Sequence, residues 1–174
     1  MITIGNPTTF AFEIHSDNLS DELGEIYLIV SSKRVSGRNP VYVPTFVSAI
    51  SGFLQSQKSK SQVHDFSSMM DREVFQLFHR ISETDQEARG ITPSDVFDCY
   101  RLHSIDDAVD DWEIYVFDSQ GEKHIVCRPI VDRADLSCGG DGFVSTAISR
   151  QGFIDTVAEF IGVISRARMR DEPT

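Results

Sequence analysis

Residues 1–14 constrain the fold more than any other stretch of the chain. Phe10, Phe12 and Ile14 recur at every second position, the period of a strand with one face in a core. Ahead of them Gly5-Asn6-Pro7 is a turn signal, because Gly tolerates positive φ and Pro fixes its own. A strand is therefore expected to begin almost at Met1 and to be followed, after this turn, by a strand over Phe10–His15. A polar turn over Ser16–Glu22 leads to a further strand, Gly24–Ser31, in which Ile26, Leu28 and Val30 share one face while Tyr27 and Ile29 take the other. A strand apolar on both faces belongs in the middle of a sheet or under cover on both sides. Ser36-Gly37-Arg38-Asn39-Pro40 then turns the chain into a short edge, Val41–Val43.

The period changes after Pro44-Thr45. Phe46, Ile50, Phe53 and Leu54 fall on one helical face, and the polar, low-complexity stretch Gln55–Gln62 reads as the loop that follows. A second helix is expected over Asp71 to Ser82 with Val74, Leu77, Phe78 and Ile81 inward. A third opens at Thr92-Pro93-Ser94-Asp95, with Thr92 as N-cap, Pro93 at the first helical position and Asp95 near the positive helix end, and is expected to reach His103. Strands return as a hairpin: Trp112–Asp118, a turn over Ser119–Glu122, then Lys123–Ile130. An Asp- and Gly-rich loop, Val131–Gly142, precedes a strand over Phe143–Ser149 and a final helix, Gly152–Arg168, striped by Phe153, Val157, Phe160, Ile161 and Ile164. Strands, helices, strands and a helix in that order predict an α+β fold: a largely antiparallel β-sheet, a central helical segment and a C-terminal amphipathic helix on the sheet. One domain is expected over residues 1–170, with 171–174 as a tail.

A formal net charge of −11 argues against direct binding of nucleic acid or of an anionic membrane surface, and is compatible with a basic protein partner. No apolar run approaches the roughly 20 residues of a membrane span, and no basic segment followed by an apolar one opens the chain, so a cytoplasmic location is expected. Cys99, Cys127 and Cys138 form no C-x-x-C pair and read as free thiols of a reducing compartment.

Motifs of catalysis are missing: no G-x-S-x-G elbow, no P-loop, no H-E-x-x-H and no G-x-G-x-x-G. His15, His64, His79, His103 and His124 are scattered without metal-ligand spacing, so neither a metal nor another cofactor is expected. Cys138-Gly139-Gly140-Asp141-Gly142 offers glycines for an anion nest, but Asp141 would repel phosphate and no Walker residues follow; it reads as a connection. The run from Asp106 to Glu113 is the most charged segment, with Asp106, Asp107, Asp110, Asp111 and Glu113 within eight residues. It reads as a solvated loop entering a strand, as a contact surface for a basic partner with Trp112 as a nearby anchor, or as a calcium loop, which its lack of Gly disfavours.

Three segments resemble the immunity protein 42 family of bacterial polymorphic toxin and contact-dependent inhibition systems. They are Ile4-Gly5-Asn6-Pro7 with Phe10-Ala11-Phe12-Glu13; Trp112–Phe117 with the Gln120-Gly121-Glu122-Lys123 turn and His124–Arg128; and Phe143–Ser149 followed by Gln151-Gly152-Phe153-Ile154. Gln151 and Ile154 depart from the family pattern, and Thr45–His103 carries no match. The resemblance implies a non-catalytic immunity protein that binds a cognate toxin domain and neutralises it by stoichiometric occlusion. The charge suits a basic toxin such as a nuclease, and the candidate toxin-binding residues are Asp106, Asp107, Asp110, Asp111 and Glu113. Two alternatives make different demands. An adaptor or scaffold subunit requires a large exposed apolar patch, and a small-molecule enzyme requires a deep pocket lined by Asp, His and Cys.

Overall fold

Asn6 closes the first turn: its side-chain oxygen accepts from the Thr8 amide at 3.0 Å, and its carbonyl accepts from the Thr9 amide at 3.0 Å. The turn folds β1 (Ile2–Asn6) antiparallel onto β2 (Phe10–Ile14), with Ile4 opposite Phe12. In this computed structural model residues 1–15, 22–35, 40–59, 64–102, 112–130 and 142–170 are described. β2 pairs in turn with β4 (Ile26–Val30), and β4 with β5 (Lys33–Arg34), giving a four-stranded sheet in the order β1-β2-β4-β5. The double-faced apolar strand thus lies inside its sheet, as its sequence required. β3 (Leu23–Gly24) and β6 (Val41–Tyr42) form a separate two-stranded ribbon.

Gly5 takes φ +95°, and a Cβ there would lie 2.6 Å from the Phe10 carbonyl oxygen and 2.6 Å from Thr156 Cγ2. Gly5→Ala therefore combines a left-handed backbone with a clash against main chain, and should destabilise by about 1–3 kcal/mol in urea titration. An unchanged midpoint would show that the turn relaxes at no cost.

Helix α1 (Val43–Ser59) starts one residue before Pro44 and runs past Leu54 into the Gln55–Gln62 stretch expected to be a loop, of which residues 60–62 lie outside the described residues. Gln, Lys and Ser tolerate a helix, and Gln57 is drawn inward: its amide donates to the Cys99 carbonyl at 2.5 Å, and its oxygen accepts from Lys123 Nζ at 2.5 Å. Composition alone does not reveal such a distant partner. Helix α2 (Asp71–Thr84) buries Val74, Phe75, Leu77, Phe78 and Ile81. Thr92 caps α3 (Pro93–Asp95), accepting from the Asp95 amide at 3.1 Å while the Asp95 carboxylate accepts from the Thr92 amide at 2.9 Å. The expected long helix instead becomes a π-helical turn, Val96–Tyr100, closed by Arg101 N–H on the Val96 carbonyl. Arg101 then bridges to Tyr115, and the Leu102 amide donates to the Ile114 carbonyl.

The remaining strands, β7 (Trp112–Ser119), β8 (Glu122–Pro129) and β9 (Val144–Ser149), make a three-stranded antiparallel sheet in that order. Helix α4 (Arg150–Arg170) follows and lies against β1 and β2 of the first sheet and β8 and β9 of this one. Alternation along β7 serves two cores. Trp112, Ile114 and Val116 join Phe12, Phe46, Phe153 and Phe160 in one. Tyr115 and Phe117 join Phe66, Phe75 and Phe78 in the other. The α+β reading holds, with the strands divided among three antiparallel sheets. No helix among the described residues is long and apolar enough to cross a membrane.

Candidate functional site

The acidic run divides at the start of β7. Asp106, Asp107, Asp110 and Asp111 lie outside the described residues. Glu113 is the second residue of the strand, and the two-residue period turns it toward α2 with Tyr115 and Phe117. It is 5% exposed. Expected with the aspartates on a toxin-facing patch, it sits instead inside a polar cluster.

Tyr115 Oη donates to the Glu113 carboxylate at 2.6 Å, and His79 Nδ1 lies 2.9 Å from its other oxygen. Arg128, directly opposite Glu113 in the hairpin, places Nη2 3.9 Å from the carboxylate and 3.3 Å from His79 Nε2, with its guanidinium over the Phe75 ring. A carboxylate only accepts, so His79 donates through Nδ1 and leaves Nε2 to accept from Arg128. Burial, aided by the neighbouring Glu113 charge, pushes the Tyr115 phenol well above its ordinary value and keeps it a donor. The cluster ties α2 to the hairpin, with Glu113 and Tyr115 buried at its centre.

A second cluster joins α1, β8 and α4. Lys123 is 2% exposed, and its ammonium donates to Gln57 and, at 2.9 Å, to Asp118, which also accepts from Arg150 Nε at 3.1 Å. On the first sheet Arg34 donates to Glu13 at 2.6 Å and lies over the Tyr27 ring. The Arg34 bond holds the Glu13 carboxyl below the usual range, with His15 adding to it against a smaller burial effect. The other described histidines are likewise engaged: His64 with Tyr100 and His124 with Asp71. His103 and Cys138 lie outside the described residues; Cys127 is buried and Cys99 half-buried.

The described surface offers a partner apolar points and a cavity. Leu23 and Tyr42, directly opposite each other in the β3–β6 ribbon, are 57% and 40% exposed, with Glu22 and Glu25 also exposed beside them in sequence. Phe97 and Ile130 are also exposed. The cavity, about 330 Å³, lies along α2, where Glu73, Gln76, Leu77 and Arg80 form one stripe, and is closed by Met69 before the helix and Arg89 after it. No Asp, His or Cys lines it. Sequence reasoning missed it because its walls come from three segments with no shared motif; the Arg89-Gly90 pair at a turn was the available signal.

The immunity protein 42 family model matches residues 1–162. Among solved structures the chain is similar to the crystal structure of CdiI from Burkholderia dolosa AUO158, at TM-score 0.59 and 13% identity, over 93% of this chain and 99% of that one. At that identity the likeness speaks for the fold. No curated protein matches the sequence.

Proposed function

The chain belongs to the immunity protein 42 family, and from that premise we propose that it neutralises a cognate toxin domain by binding it in stoichiometric complex and occluding its active site or a functional surface, without turnover. The family match over residues 1–162 carries this reading. The fold supports it. Clusters that could have been reactive are spent on joining elements: Glu113 holds α2 to the hairpin, and Lys123 holds α1 to α4 through Asp118 and Arg150. The result is a braced scaffold suited to presenting a fixed surface. The four- and three-stranded sheets share a core through α4, which favours residues 1–170 acting as one domain; the cytoplasm is where such a protein would meet its toxin.

The partner is a basic toxin domain, and a nuclease fits best because its groove must attract phosphate. Asp106, Asp107, Asp110 and Asp111 supply the steering charge, while exposed Leu23 and Tyr42 are the kind of apolar anchor around which an interface desolvates. Glu113 is assigned to the scaffold. Exchanging the four aspartates for Asn and Ser should slow association at low salt about tenfold or more while leaving the dissociation rate and the urea midpoint in place. An unchanged association rate would remove this segment from the interface.

A further inference from the structure

The cavity along α2 carries an inference that rests on the immunity reading and deepens it. Its rim residue Arg89 sits in the two-residue turn between Ala88 and Ile91, whose amides and carbonyls exchange hydrogen bonds at 3.1 and 3.0 Å. Arg89 has φ +55° and Gly90 φ +75°, the pair of left-handed residues for which Asn-Gly is the favoured choice. Arg at the first of these positions strains the backbone with no benefit to the turn. The guanidinium lines the cavity and donates to Met69 Sδ at 3.1 Å. Arg80 lines the same cavity from α2. Among the described residues neither guanidinium has a carboxylate within ion-pair distance, although the chain carries 27 acidic residues. Glu73, the acid in the wall, is turned to the helix start, where it accepts from the Met70 amide at 2.8 Å. Met69 and Leu77 supply an apolar lining.

We propose that this cavity is a contact site for the toxin and receives an acidic side chain of that partner, its carboxylate between Arg80 and Arg89 and its aliphatic stem against Met69 and Leu77. A planar guanidinium suits a carboxylate because it donates in a fixed fork. A protein partner is favoured over a free anion by the charge of the whole chain. A small anion approaches a chain of net charge −11 against its field, whereas a carboxylate carried by a basic protein is brought in by the attraction of the rest. The site also gives the complex a register, because acids and bases then face each other in both directions.

The test is affinity and stability measured together on the full chain, using the toxin domain encoded immediately upstream in catalytically disabled form. Arg89→Asn creates the favoured turn pair and should leave the urea midpoint unchanged or raise it, while weakening toxin binding about tenfold or more. Arg80→Gln should weaken binding similarly with the fold intact. Wild-type binding that both variants retain within about twofold would overturn the contact and leave the immunity reading standing. Absence of wild-type binding would overturn both. A thermal shift of the free chain with sodium acetate or phosphate that Arg89→Asn abolishes, with toxin affinity unmoved, would assign the cavity to a small anion and overturn the contact.

Discussion

Phe160→Ala is expected to cost about 3–5 kcal/mol, a large share of the roughly 5–15 kcal/mol that holds a domain folded. Phe160 is fully buried on α4. Its ring stacks on Phe12 of β2, with centroids 4.1 Å apart and planes 16° apart, and meets Phe46 of α1 edge-on at 5.7 Å. Truncation leaves a void where a helix, a sheet and a second helix converge, and that close-packed region collapses only in part. Urea titration should show a large fall in midpoint. Met169→Ala on the same helix, at a residue 77% exposed, should stay within about 0.5 kcal/mol. Equal effects from the two would mean that α4 is not held as described.

The second large effect lies in the Lys123 cluster. Asp118→Ala leaves a buried ammonium without its counter-charge and should cost about 3–5 kcal/mol, whereas Lys123→Met, close in volume and leaving Asp118 its bond from Arg150, should cost less. The pair also has a pH signature. Burial pulls the Lys123 ammonium below its ordinary 10.5; Asp118 opposes this and Arg150 adds to it. Between the lowered value and 10.5 the unfolded chain binds more protons than the folded one, so wild-type stability gains from this group as pH rises through that window. The difference between wild type and Lys123→Met isolates the effect, because Tyr100 and Tyr115, whose phenols burial pushes up, titrate alike in both proteins. A difference that is flat or falls from neutral pH to 10.5 would contradict the assignment.

Local patterns were legible in the sequence where a single segment decides the outcome. The Asn6 turn, the Thr92 cap, the Gln120-Gly121 hairpin turn and the stripe of α2 follow from residues within a few positions of one another. Segments whose partners are distant in sequence read less well. Gln55–Gln62 reads as a loop, yet its residues up to Ser59 are helical, with Gln57 held by Lys123, and the helix after Pro93 is cut short by the bridge from Arg101 to Tyr115. Glu113 is the instructive case at the candidate site. As one of five carboxylates it counted as surface charge, yet its place between Trp112 and Ile114, in a strand apolar on both faces, leaves it no exposed side. Strand alternation was the better guide than charge density. The cavity of Arg80 and Arg89 was beyond either kind of reading, since it exists only once the segments flanking α2 fold back along it.

Co-expression with the polypeptide encoded immediately upstream tests the central claim most directly, scored by growth and by co-purification. The account predicts that this polypeptide alone arrests growth, that the chain restores it, and that the two leave the column together in fixed ratio. A toxic upstream product that the chain neither binds nor neutralises, or an innocuous one, would contradict it.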